Sequence, residues 1–228
     1  MDECGFSISS RLQKVLAQKN SRQVHKVAAG NSKEHVSVCP TISAGGTFIP
    51  PLLIYKGSRV LGNMLSGSSV PSGTVAAFTP TGYMQEAIFR MYIDHFARSI
   101  LPARPVMLML DGHGSHIDLL SIKFCREHGI LLYVLPSNTT HLLQPSEIPF
   151  KKLKLEFEKA ADRYRMESGL KVVTKYSFAE VFGRAFHETY ATTAIKNAYA
   201  ATGIWPLDPS VIKSDRMTPS LTTEKHAP

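Results

Sequence analysis

Three acidic positions stand where carboxylates can do more than face water. Asp111 ends the apolar run Val106–Leu110 and opens the glycine-rich stretch Asp-Gly-His-Gly-Ser-His. Ligands of open α/β sheets bind beyond the carboxyl ends of strands, and a glycine-rich turn there leaves a carboxylate uncovered. The plainer reading is an Asp that completes the turn or caps the next helix. Glu147 follows a second apolar run and a polar loop, just ahead of a helix start, where the positive helix end favours its ionised form. A first-turn Glu is equally a common stabilising device. Asp2 and Glu3 open the chain ahead of a strand-like Cys4–Ser9. Carboxylates from two strand ends and a helix start can converge on divalent metal. Oxygen ligands select Mg²⁺ or Mn²⁺. Two such ions activate a water or hydroxyl and stabilise the leaving oxygen of a phosphodiester.

A zinc site competes for the same stretch. His113-x-x-His116 and Cys125-x-x-His128 are ligand-like pairs. Structural zinc prefers more thiolate and a longer connecting loop, and the helical pattern of Ile117–Phe124 makes closure awkward. His113 and His116 fit better as groups that orient the Asp111 turn or touch phosphate. Packing beside the helix is their plainer reading.

These positions need elements to hold them. His35–Ser43 places Val36, Val38 and Ile42 on one face with period two, predicting a half-buried strand. Gly45-Gly46 signals a turn, and Thr47–Tyr55 is apolar and extended, so the pair predicts an antiparallel hairpin. Residues 57–80 are rich in Gly, Ser and Pro and read as a loop. Met84–Ile100 carries Ile88, Met91, Tyr92, His95, Phe96 and Ser99 at helical spacing. Val106–Leu110 reads as a central strand of a covered sheet. A helix over Ile117–His128, ended by Gly129, leads to a buried strand Ile130–Leu135, predicting a βαβ unit with parallel pairing.

Ser137–Ser146 reads as a polar loop. Pro149 suits a helix N1 position, with Phe150, Leu153, Phe157, Ala160, Ala161 and Tyr164 as one stripe. Ser177 and Glu180 predict a capping box for a helix burying Phe178, Val181, Phe182, Ala185, Phe186 and Tyr190. A short helix ends at Gly203, and the chain from Asp208 onward is polar and expected to fray. The fold expected is α/β, a mixed sheet of an antiparallel hairpin plus parallel strands, with helices on both faces.

Composition narrows the class. The 228 residues are 43% hydrophobic and 19% charged, an ordinary globular balance. Lys+Arg number 26 against 18 Asp+Glu, a formal charge of +8 that favours a polyanionic partner. Residues from Cys4 to Lys33 include Arg11, Lys14, Lys19, Arg22, Lys26 and Lys33 with no acid, a solvated loop or a surface that tracks phosphates. Three scattered cysteines argue against a disulfide framework and fit a reducing compartment. Short apolar stretches such as Val106–Leu110 fall far short of the ~20 residues of a membrane span.

Read together, the motifs resemble the pogo/Tigger/jerky-like group of DDE transposases. MDECGF resembles the first acidic motif, SAGGTFIPPLLIYKG the hairpin segment and LMLDGHGSH the second acidic motif. LPSNTTHLLQPSEIPFKKLK resembles the third, and ATGIWPLDPSVI the segment closing the domain. The resemblance runs from residue 2 to about residue 212. It implies an RNase H-like fold and two Mg²⁺ or Mn²⁺ ions held by Asp2, Asp111 and Glu147. Thirty-five residues separate the last two acids, within the family's range. The sequence departs from the pattern at Gln-Pro-Ser-Glu, where the family has Gln-Pro-Leu-Asp, so the third ligand is Glu.

The implied reaction is hydrolysis of a DNA phosphodiester followed by attack of the freed 3′-hydroxyl on target DNA. His113, His116, Thr140, His141 and Gln144 are expected to orient ligands or touch the strand. Lys151, Lys152 and Lys154 are expected to hold phosphate, or else to form a solvated helix face balanced by Glu156 and Glu158. The implied partner is DNA, in the nucleus, with a homodimer as an open expectation and no membrane. Residues 1–207 are expected to form an N-terminally clipped catalytic core without the family's helix-turn-helix, and 208–228 a flexible tail. The alternative is a domesticated nuclear protein that keeps the fold and binds DNA or chromatin without cutting.

Overall fold

The computed structural model describes residues 1–8, 34–59, 63–116, 118–169 and 171–212. The basic segment between residues 9 and 33 and the tail beyond 212 lie outside the described residues. Strands β1 (Cys4–Ser7), β2 (His35–Ile42), β3 (Phe48–Lys56) and β4 (Val75–Thr79) form one sheet in that order. The first two pairings are antiparallel and β3–β4 is parallel. Helix α1 (Glu86–Ser99) leads to β5 (Val106–Leu110), α2 (Leu119–Glu127) and β6 (Ile130–Val134), the expected βαβ unit with parallel pairing. Then come α3 (Thr140–Leu143), α4 (Phe150–Glu167), α5 (Phe178–Thr189) and α6 (Thr192–Ala201).

The architecture is mixed α/β with helices on both faces. The strands divide into a four-stranded and a two-stranded sheet. At their junction the Met1 ammonium donates to the Met109 carbonyl at 3.0 Å. One core packs β1 and β2 against α4, α5 and α6, centred on Phe6, Phe157, Phe178, Phe182 and Phe186. The other packs β3 and β5 against α1, centred on Leu52, Ile54, Phe89, Tyr92 and Phe96.

Several expectations need correction. β2 is buried on both faces, not one, because it lies between β1 and β3 with helices on either side. Its ladder to β3 skips between Cys39 and Thr41. Pro40 sits there opposite Pro50 and Pro51, so residues lacking an N–H gather where the ladder needs none. β4 lies inside the stretch read as a loop; its Val-Ala-Ala-Phe-Thr is too short and too small to signal a strand.

The buried face of α1 is Phe89, Tyr92, Ile93 and Phe96, rotated away from Met91. β5 and β6 are covered on one face only, leaving Met107, Leu131 and Tyr133 exposed. The polar loop 137–146 holds α3, and a 3₁₀ turn spans Pro145–Glu147. The capping box at Ser177 does not form: Glu180 accepts hydrogen bonds from the Ser69 N–H and hydroxyl instead. Asp208 caps a 3₁₀ turn over Pro209–Val211, so the first residues of the expected tail are ordered. Among the described residues no helix is long and apolar enough to cross a membrane.

Candidate active site

The site is built where β1 meets the carboxyl end of β5. Alternation along an extended strand sends neighbouring side chains to opposite faces. Asp2 therefore shares a face with Cys4 and Phe6, while Glu3 faces the Asp111 turn. The Gln144 side chain donates from Nε2 to the Met1 carbonyl at 2.9 Å. Three residues later the 3₁₀ turn carries Glu147, so the third acidic segment is fastened to the residue that precedes Asp2.

Asp2 is 9% exposed and accepts from the Glu3 N–H at 2.8 Å. Burial first, then the charge of Glu3, with the charge of Glu147 adding, pushes its carboxyl up to about 7. Asp111 is half-buried and accepts from the His113 N–H at 3.3 Å. Its contact with His116, working against partial burial, holds its carboxyl below the usual carboxylate range.

His116 ends the 3₁₀ turn Gly114–His116. It is 1% exposed and packs its ring on Phe89 with centroids 4.8 Å apart. Nε2 lies 2.9 Å from Glu3 Oε1. Nδ1 lies 2.8 Å from Asp111 Oδ1, an ion-pair contact poorly aligned for a hydrogen bond. Burial lowers the imidazole, but the two carboxylates outweigh it and raise the group to about 9. The ring is thus a cation clamped between two acids, one from each motif.

Among the described residues, Glu3, Asp111 and His116 form a set of metal-ligating types with ligand atoms within 4.8 Å of one another. Asp2 and Glu147 are outside that set. Both ring nitrogens of His116 already face carboxylates, so the trio works as a clamp and not as three ligands around one point. A hard divalent cation takes oxygen ligands. Asp2, Asp111 and Glu147 offer only oxygen donors. Negative charge from Glu3 and Glu147 accumulates on buried Asp2, and the Oε1 of Gln144 is buried with no hydrogen-bond partner.

The remaining candidates are placed as follows. His113 is exposed beside His116, with ring centroids 5.7 Å apart. Thr140 is half-buried at the start of α3 and accepts at its carbonyl from the Gln144 N–H, and His141 is exposed. Lys152 donates to the Glu188 carbonyl at 2.7 Å, an intramolecular tie. Lys154 faces the Cys4 thiol, partly offsetting the burial that raises that group to about 11. Lys151 is exposed at the first turn of α4. Cys125 is buried, and His128 stacks on Phe124 with Nδ1 against its carbonyl. Neither joins a metal-ligating group among the described residues. Glu3 is the residue that sequence reasoning left without a role; the adjacent Asp-Glu pair on a strand was the signal that two faces were in play.

Comparison with known proteins places residues 32–200 within the DDE superfamily endonuclease family. The chain is 26% identical over 221 residues, 93% of its length, to the MFS-type transporter clz9 of Cochliobolus lunatus. It spans about a quarter of that curated relative's length, 24%. Similar solved structures include the Mos1 strand transfer complex, with 12% identity and a TM-score of 0.45 over 89% of this chain and 53% of that one. A pre-cleavage Mos1 transpososome gives 12% and 0.46 over 89% and 54%.

Proposed function

The chain belongs to the DDE superfamily endonuclease family, and from that premise we propose that it is the strand-cutting core of a transposase-type protein. Asp2, Asp111 and Glu147 would hold two Mg²⁺ or Mn²⁺ ions. The observation that carries the reading is the fastening of all three acidic segments to one point: Met1 binds β5 through Met109 and the Glu147 segment through Gln144. The ions, when bound, supply Lewis-acid activation of the attacking and leaving oxygens.

The chain's own groups do the rest. His116 keeps Asp111 ionised and pinned in orientation, so the carboxylate faces cation without having to shed a proton. Asp2, held protonated up to about pH 7, gives up its proton as cation binds. Lys151, beside Glu147 on the first turn of α4, is free to hold the phosphate next to the scissile one. Hydrolysis breaks the bond from phosphorus to the 3′ oxygen, leaving a 3′-hydroxyl and a 5′-phosphate. That hydroxyl is then the nucleophile for strand transfer, with no covalent link to the protein. The partner is DNA; nuclear location, a homodimer and a core over residues 1–207 belong to the same reading.

A second reading has its own observation. Asp111 lies with Glu3 and His116 at ligand distance, and not with Asp2 and Glu147, which suits a protein that keeps the fold and binds DNA without cutting. Nicking of supercoiled plasmid with Mg²⁺ or Mn²⁺, run beside DNA binding, separates the two. The strand-cutting core nicks, and Asp111→Asn abolishes nicking by at least about a hundredfold while the fold and DNA binding persist. Full-rate nicking by Asp111→Asn would overturn the carboxylate assignment. Binding with no nicking by the unaltered chain would establish the second reading.

A further inference from the structure

A cleft of about 400 Å³ opens between the β2–β3 turn and α6, lined by Gly45, Lys196, Asn197, Trp205 and Pro206 among others. None of these residues belongs to the acid site. Trp205 is the chain's one tryptophan, and it is 61% exposed. A large apolar ring is normally buried. Here an ordered loop holds it out. Gly203 has φ +65°, and a Cβ there would fall 2.2 Å from the Asp208 carbonyl oxygen. The Asp208 N–H closes the loop by donating to the Gly203 carbonyl at 2.9 Å.

The β2–β3 turn contributes Ala44 and Gly45 to the lining. A Cβ on Gly46 would lie 2.7 Å from Thr192 Cγ2 and 3.0 Å from Lys196 Cε, so the turn is flush against the lysine stem. Tyr199 fastens the helix to the hairpin by donating to the Ile42 carbonyl at 2.9 Å. The lining thus combines an aromatic ring, glycine backbone, a lysine and an asparagine amide, beside Ala44 and Ala200.

We propose that this cleft binds one unpaired nucleotide of a DNA strand. The base stacks on Trp205, the Lys196 ammonium takes the adjoining phosphate, and the Asn197 amide meets the base edge. Stacking on an aromatic ring serves any base and requires it to be out of a duplex. The positive net charge of the chain favours a polyanion over a neutral apolar ligand in a cleft that contains a lysine. Helix α6, which carries Lys196 and Asn197, also packs against the 3₁₀ turn carrying Glu147, so the cleft and that acidic segment share one helix. The proposal rests on the DNA-processing reading above, but its test needs no catalysis.

The full chain carrying Asp111→Asn, in EDTA, is titrated with an eight-nucleotide oligothymidine and with a blunt duplex of the same length. Emission of Trp205 is followed, and anisotropy of end-labelled oligonucleotide is measured in parallel. The single strand quenches Trp205 saturably and the duplex does so at least about fivefold more weakly. Trp205→Ala weakens single-strand binding about tenfold and Trp205→Phe largely restores it. Lys196→Glu weakens it further, and Lys196→Met, which keeps the stem against the Gly46 turn, weakens it without lowering the melting temperature. Binding without quenching, equal quenching by duplex, or indifference to Lys196→Glu overturns the proposal. Plasmid nicking by the unaltered chain is scored separately, so a failed nuclease and a failed cleft are told apart.

Discussion

Asp2 and Glu3 are neighbours that do opposite things. Glu3 helps hold His116 cationic, a favourable ion pair across two motifs. Asp2 is a carboxyl kept against its preference. Its pKa rises from 3.8 to about 7 on folding, so the unfolded chain ionises first. Stability falls as pH climbs from about 4 to about 7, and the cost is complete above that. The ceiling on this cost is about 4 kcal/mol. His116, raised from 6.5 to about 9, contributes stability that is full below 6.5 and lost as pH rises through 9. In EDTA, then, both contributions decline from pH 5 to pH 9, opposed by the buried Met1 ammonium, whose lowered pKa makes its own cost fade as pH rises; comparison with Asp2→Asn isolates the Asp2 share. Asp2→Asn should be more stable than the unaltered chain at pH 8, by roughly 1–4 kcal/mol. Millimolar Mn²⁺ should stabilise the unaltered chain and not Asp2→Asn. An Asp2→Asn protein less stable at pH 8 in EDTA would show that the buried carboxyl is not strained. Asp2, Asp111 and Glu147 were singled out in the sequence by their places along the chain together with the motif resemblance. The clamp was not, because His116 meets Glu3 only once β1 lies beside the end of β5, a contact across 113 residues.

At the scale of elements, α5 shows why local signals were partly misleading. Its apolar stripe was plain in the sequence, and Phe178, Val181, Phe182, Ala185 and Phe186 are all buried. Its start at Ser177 was also legible, but the expected capping box does not close because Glu180 does long-range work, binding Ser69 and pairing with Arg184. The same contact explains a glycine inside a helix. A Cβ on Gly183 would fall 2.1 Å from the Ser69 carbonyl oxygen, which is backbone. In an exposed helix Gly→Ala gains about 1 kcal/mol. Here the turn backbone of residues 69–70 must retreat, so Gly183→Ala should destabilise by about 1–3 kcal/mol. The check is a urea midpoint shifted down with an unchanged slope; a midpoint shifted up would show that the loop gives way freely. β4 and the open face of β5–β6 escaped the sequence for a related reason. Burial on a short strand depends on which helices reach it, and that is settled by packing rather than by the strand's own residues.

For the whole molecule the governing quantity is charge. The chain carries a formal +8 over 228 residues, and its acid cluster repels phosphate unless a cation offsets it. On duplex DNA, whose bases are stacked and paired, the groups that meet the strand are ammonium and guanidinium groups and the carboxylates that would hold metal, all of which recognise phosphate. Phosphate is the same in every nucleotide, so these contacts position a strand without reading it. Binding should therefore be indifferent to sequence and steeply dependent on salt. If about four phosphates are neutralised, the slope of log K against log salt is about −3 to −4 on duplex DNA. Lys151→Glu should flatten that slope by about one, since Lys151 is exposed and next to the Glu147 turn. Lys152→Gln should change it little, because that ammonium is already committed to the Glu188 carbonyl. Anisotropy titrations of unrelated duplexes from about 50 to 300 mM salt measure both quantities. A preference of tenfold or more for one duplex, or a slope near zero, would mean that base edges or apolar contacts, and not the phosphate chain, hold the DNA.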